Sequence, residues 1–242
     1  MIRHRPDPLL CELHAHSTWS DGALSVDQLV DLYGMNGFDV LCVTDHVTRV
    51  PDAVPVARTL VAADHAAYLE ALEAESERAR RLYGLLLVPG AELTYDDPDP
   101  RVAAHAVALG LREFPDLGGG LDLALAAARA AGAALIAAHP YALETASTAH
   151  RTTGRWAAEP QRSAALVDRF ELFNRHDFFG WVAQERLPAV ASGDFHRLEH
   201  FATWKTLLPC RKEEAAVIDY LRSGRPTYLV DLAEISRPRA AA

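Results

Sequence analysis

Seven short apolar stretches recur along the chain, at 9–15, 39–45, 85–92, 103–110, 134–139, 169–174 and 188–194. Runs such as Val40-Leu41-Cys42-Val43-Thr44 and Leu85-Leu86-Leu87-Val88 lack polar alternation, so they predict strands buried on both faces, as in a parallel sheet. Helical patterns lie between them. Ser25 is placed to cap a helix with Val26, Leu29, Val30 and Tyr33 on one side, closed by Gly37. Residues 63–83 predict a long charged helix ending at Gly84, 121–131 an Ala-rich helix stopping at Gly132, and 213–222 a last helix before Gly224. Strand–helix alternation at this spacing predicts βαβ units. About seven such strands in one chain predict a closed or nearly closed α/β barrel. No Pro-, Gly- or Ser-rich linker divides the chain, so a single domain over 1–242 is expected, with its core at 9–196 and further strand and helix elements at 200–232. The polar stretch 144–160 predicts a long loop.

Composition narrows the function. Hydrophobic residues make up 50% of the chain and charged ones 24%, which is ordinary globular usage and excludes a disordered chain. No apolar run approaches a membrane span. A formal net charge of −9 argues against a nucleic-acid scaffold or binding to an anionic membrane. The basic N-terminus has no apolar segment behind it, and Cys11, Cys42 and Cys210 form no CxxC pair. A reducing cytoplasm is therefore the expected location.

The 11 histidines stand out in so acidic a chain, and their positions matter more than their number. The first apolar run ends in Glu12-Leu13-His14-Ala15-His16, followed by Ser20-Asp21-Gly22. Alternation along a strand turns His14 and His16 the same way, as two ligands of one ion require. The second run ends in Thr44-Asp45-His46, the third in Gly90-Ala91-Glu92, and the fourth carries His105. The fifth ends in His139-Pro140 and the seventh in Gly193-Asp194-Phe195-His196. The C-terminal ends of strands are where βα barrels assemble their active sites. Burying so many ionisable groups in one barrel mouth without a counter-charge would be costly, and metal ions supply that charge. His4, His65, His150 and His200 lie outside the pattern, although His150 in the long loop could approach the mouth.

At these residues the sequence resembles the PHP (polymerase and histidinol phosphatase) family, with the motifs in the family's order from residue 12 to 196. The resemblance implies a distorted (β/α)7 TIM-like barrel with a trinuclear metal site. It implies one metal on His14, His16, Glu92 and Asp194, a second on bridging Glu92 with His105 and His139, and a third on Asp21, His46 and His196. Imidazole and carboxylate donors suit two to three divalent ions of Zn, Mn or Fe. Asp45 fits either an orienting role beside a ligand imidazole or an ordinary structural one.

The implied activity is a metal-dependent phosphoesterase of EC class 3.1, acting on a small phosphorylated substrate through a metal-activated hydroxide, with Glu92 and Asp194 at its centre. Only 12 residues separate Glu92 from His105 and 33 separate His105 from His139, so no extra domain fits between them. Arg175 is the first candidate to grip the phosphate and Arg197 the second. His176 is a candidate proton donor to the leaving group. Two other readings stay open. One is an amidohydrolase-like hydrolase of C–N bonds, although no Lys precedes Lys205 to bridge its metals. The other is a non-catalytic module stabilised by metal, which would need closed coordination.

Overall fold

Val40, Leu41, Cys42 and Val43 are all fully buried, as a strand covered on both faces requires. Leu41 and Val43 pack beneath the helices, whereas Val40 and Cys42 point to the other side and join Cys11, Leu13, Val107, Ile136 and Val190. This two-sided packing organises the computed structural model, which describes residues 7–49, 58–143 and 153–235.

In chain order the elements are β1 (Leu9–Glu12), α1 (Val26–Met35), β2 (Val40–Val43), β3 (His46–Thr48), α2 (His65–Tyr83), β4 (Leu86–Tyr95) and β5 (Ala104–Leu109). Next come α3 (Leu121–Ala130), β6 (Ala134–Ala137), α4 (Arg155–Ala158), α5 (Pro160–Leu166), β7 (Arg169–Asn174), β8 (Asp177–Phe178), α6 (Gly180–Gln184) and β9 (Ala189–Ser192). A single 3-10 turn at Leu198–His200 precedes β10 (Trp204–Leu208), α7 (Glu214–Arg222), β11 (Tyr228–Asp231) and α8 (Leu232–Ile235).

The four helices that the sequence predicts, α1, α2, α3 and α7, start and stop within two residues of their expected bounds, whereas the short α4, α5, α6 and α8 are not among those expected. The Ser25 N–H donates to Gln28 Oε1 at 3.0 Å at the head of α1. Gly84 closes α2 in the left-handed conformation, with φ of 63°, which costs a residue without a side chain nothing. The expected loop at 144–160 differs. Residues 144–152, and with them His150, lie outside the described residues, as does His4. From Arg155 the chain is helical, because Trp156 is buried and its Nε1 donates to the His105 carbonyl at 2.9 Å. Among the described residues no helix is long and apolar enough to cross a membrane.

The strands form one curled, mixed sheet in the order β11-β10-β1-β2-β4-β5-β6-β7-β8, with β3 also pairing β4 and β9 also pairing β7. The sheet bends round until a bridge between Ala15 and Phe195 joins the segments that follow β1 and β9. It is not wholly parallel, which corrects the expectation from alternation. β5 runs antiparallel to both β4 and β6, and β10 runs antiparallel to β1. Only residues 96–103 connect β4 to β5, too few for the crossover that a parallel neighbour needs. A hairpin forms instead, and it extends β4 three residues past Glu92 to Tyr95.

Candidate metal centre

Register sets the centre of the site. β3 and β4 pair in parallel with His46 beside Glu92, and β4 and β5 pair antiparallel with Thr94 opposite His105. Because β5 is reversed, His105 lies near its N-terminal end, and that end opens on the same rim as the C-terminal ends of the parallel strands. β1 and β9 stop at Glu12 and Ser192, short of His14 and Asp194. Backbone bonds from His16 N to the Phe195 carbonyl (2.8 Å) and from Phe195 N to the His14 carbonyl (3.1 Å) hold the two following segments together. His139 and Asp194 adopt left-handed φ angles of 27° and 41°, strained for residues with side chains.

Eight of the nine residues predicted as ligands fall into three overlapping groups at this rim: His14, His16 and Glu92; Glu92, His105 and His139; and His16, Asp21, His46 and His196. Asp194, the ninth, lies beside the first. In the first, His14 Nε2 lies 3.6 Å from both Glu92 Oε2 and Asp194 Oδ1, and His16 Nε2 lies 3.5 and 3.4 Å from the same two oxygens. Four donors round one ion at about 2.1 Å stand about 3.4 Å apart. In the second, Glu92 Oε1 is 3.2 Å from His105 Nδ1 and 3.0 Å from His139 Nε2. In the third, Asp21 Oδ1 is 3.6 Å from His46 Nε2, 3.3 Å from His196 Nε2 and 3.8 Å from His16 Nδ1. His16 and Glu92 thus each belong to two groups.

His14 Nε2, His16 Nε2 and Glu92 Oε2 are buried and make no hydrogen bond. His46 Nδ1 approaches Glu92 Oε2 to 2.7 Å but is not aligned to bond it, and it meets Thr94 Oγ1 at 2.7 Å. Each unpaired buried polar atom costs about 1–3 kcal/mol. Three of them gathered in one group fit a cation there, as imidazole and carboxylate donors do.

The electrostatics are those of a tightly coupled set. Burial works against the charge on Glu92 and Asp194, but the surrounding imidazoles outweigh it and hold both carboxyls well below the usual range. Asp21 is likewise brought down to about 2, chiefly by the His196 contact acting against burial. Burial and the neighbouring His46 and His196 push His16 down. The carboxylates of Asp194 and Glu92 override burial and raise His14.

Arg175 comes to the rim at a left-handed φ of 54°. Its Nε and Nη2 donate to the Asp194 carbonyl at 3.2 and 3.0 Å, and Nη2 also reaches Asp194 Oδ2 at 3.0 Å and His196 Nδ1 at 3.2 Å. Arg197 is exposed and pairs with Glu199 at 3.3 Å, outside the cluster. His176 is exposed in the β7–β8 turn and takes no part in the cluster's hydrogen bonds. Among the described residues Asp45 makes no hydrogen bond or ion pair with an imidazole. It is buried and accepts from the backbone N–H and hydroxyl of both Ser17 and Ser20 at 2.6–2.9 Å, so it reaches His16 only through Ser20.

Three carboxylates beside the cluster escape a reading by motif. Asp96 Oδ1 sits 2.9 Å from His105 Nε2, Glu171 contacts His14, and Glu12 is buried against Lys205. The signal for the last two was a charged residue inside an apolar strand, Glu12 after Leu9-Leu10-Cys11 and Glu171 within Phe170-Glu171-Leu172-Phe173.

No family model matches the chain. A 90-residue stretch is 36% identical to the DNA polymerase/3'-5' exonuclease PolX of Bacillus subtilis, covering 36% of this chain and only 15% of that protein. A two-domain protein of Bacteroides vulgatus, described as containing a predicted PHP-like metal-dependent phosphoesterase, superposes with a TM-score of 0.66 at 22% identity. That match covers 93% of this chain and 66% of the other. A Bifidobacterium adolescentis protein described as a candidate metal-dependent phosphoesterase gives a TM-score of 0.50 at 16% identity, over 77% and 87% of the two chains. Both structural neighbours are described as metal-dependent phosphoesterases, the first as PHP-like, and this chain shares their mixed α/β fold with its curled sheet.

Proposed function

We propose that the chain is a PHP-type hydrolase of phosphate esters, acting on a small phosphorylated molecule in the cytoplasm with two to three ions of Zn, Mn or Fe. The observation that carries this reading is the convergence of His14 Nε2, His16 Nε2 and Glu92 Oε2, buried and without hydrogen bonds, on the side of Asp194. The seven-stranded barrel reading is supported by the bridge between Ala15 and Phe195, which links the segments after β1 and β9 and would close the order β1-β2-β4-β5-β6-β7-β9 on itself.

The ligand sets are those implied by the family resemblance: His14, His16, Glu92 and Asp194; Glu92, His105 and His139; Asp21, His46 and His196. Bound divalent ions would supply hydroxide at neutral pH and neutralise phosphoryl oxygens. Glu92 joins the first two sets through its two oxygens. Arg175 has both Nε and Nη2 committed to Asp194 and His196, while among the described residues its Nη1 makes no hydrogen bond and faces no such commitment. It therefore holds two ligands and keeps one amino group for a phosphate oxygen. Arg197 and His176 are exposed outside the cluster, and in this reading a bound substrate would recruit them as a second cation and a proton donor.

Protein expressed with Mn, Zn or Fe should carry more than one ion per chain. It should hydrolyse phosphomonoesters or diesters in preference to amides. Well under one ion per chain, or a preference for amide substrates, would overturn the reading.

A further inference from the structure

Glu171 is a buried carboxylate that the proposed ligand sets leave out. It is 1% exposed, and both of its oxygens are engaged. Oε1 faces His14 Nδ1 at 3.0 Å and accepts from Ser192 Oγ. Oε2 accepts from Asn174 Nδ2 at 2.7 Å and from the His139 backbone N–H at 2.6 Å. Its partners therefore come from the segments after β1 and β6, from β7 itself and from the end of β9.

Two features separate Glu171 from an ordinary buried carboxylate. The first is its charge balance. Glu12, equally buried, has the Lys205 ammonium at 3.0 Å, whereas among the described residues Glu171 has no Lys or Arg partner and its one ionic contact is the His14 ring. The second is which ring atom it meets. A carboxylate at Nδ1 takes the N–H there and leaves the lone pair on Nε2. Nε2 is the atom that points at Glu92 and Asp194 without a hydrogen bond. The same carboxylate holds the backbone N–H of His139 at its strained φ of 27°.

We propose that Glu171 is a positioning residue that fixes the tautomer and ring plane of His14 and ties His14 to His139, so that donors from two ligand groups are set by one carboxylate. This rests on the metal reading above. A carboxylate behind a ligand imidazole typically changes metal affinity by about 10- to 100-fold.

Glu171→Gln and Asn174→Ala test it, the second leaving the carboxylate in place with one support removed. Zinc affinity is read by competition with a chromophoric chelator. The His14 Nδ1–H resonance is read by nitrogen-correlated NMR of the zinc-loaded protein. Glu171→Gln should weaken zinc at the tightest position about 10- to 100-fold and move the His14 Nδ1–H signal. Asn174→Ala should show the same changes in smaller measure. The position built on Asp21, His46 and His196 should keep its affinity in both. Wild-type zinc affinity and an unmoved signal in both variants would overturn the proposal while leaving the metal reading intact. Equal weakening of every position would reduce Glu171 to general support and overturn it too. A wild-type protein that binds no metal would overturn both readings.

Discussion

Lys205 Nζ lies 3.0 Å from Glu12 Oε2, and neither side chain is exposed to solvent. The pair joins β10 to β1 directly beneath the proposed ligands. Glu12 also accepts from Tyr33 OH at 3.1 Å and from the backbone N–H groups of Gly193 (2.8 Å) and His14 (3.2 Å), and Lys205 donates to Thr203 Oγ1 at 2.8 Å. Replacing Lys205 by Met keeps the bulk and strands the carboxylate. Lys205→Met should therefore lose about 3–5 kcal/mol in chemical denaturation. A loss below about 1 kcal/mol would show that the pair contributes little.

Gly193 separates that pair from Asp194. A Cβ there would meet Glu12 Oε2 at 2.5 Å, Lys205 Nζ at 2.6 Å and the His200 carbonyl oxygen at 3.0 Å. Because both polar groups are locked in a buried ion pair, neither can swing aside. Gly193→Ala should cost about 1–3 kcal/mol and displace Asp194, lowering metal content as well as stability. Denaturation and metal analysis on the same preparation check the two effects together.

Glu92 belongs to two ligand groups and His46 to one. Glu92→Ala should consequently lose more metal than His46→Ala, and its phosphate-ester turnover should fall to background. Equal metal contents in the two variants would contradict the shared role of Glu92.

Asp31 links α1 to α2 through Arg78 Nη1 at 2.6 Å and Tyr83 OH at 2.8 Å. The Arg78 hydrogen bond, followed by that of Tyr83, holds its carboxyl below the ordinary carboxylate range. A depressed folded-state pKa gives stability that is present above the unfolded value, about 3.9, and is lost as pH falls through the lower folded value. The pair is partly open to solvent, which screens it, so Asp31→Asn should cost about 0.5 kcal/mol or less at pH 7. Denaturation at lower pH should show that difference shrinking to nothing.

Much of the site was legible in the chain before any fold was known. The ligands follow apolar runs in a fixed order, and each run was long enough to be a strand. The i,i+2 spacing of His14 and His16 placed both Nε2 atoms toward the same carboxylate oxygens even though β1 ends at Glu12. His105 reached the rim by a different route from the one alternation suggested. Its strand is reversed, because the connection from β4 is a short turn and not a helix. Arg175 lies against Asp194 and His196, and most of its guanidinium is committed to them.

The sequence by itself singled out the candidate side chains and the apolar run that each one follows or lies in, because hydrophobic periodicity is a local property that hydrophobic burial enforces segment by segment. Only the tertiary structure decided what stands behind those side chains. His14 and Glu171 are 157 positions apart, and Glu12 meets Lys205 from the far end of the chain. Such pairings follow from strand order and sheet curvature. Those depend on how all the buried faces pack together, and no spacing within a single segment records them.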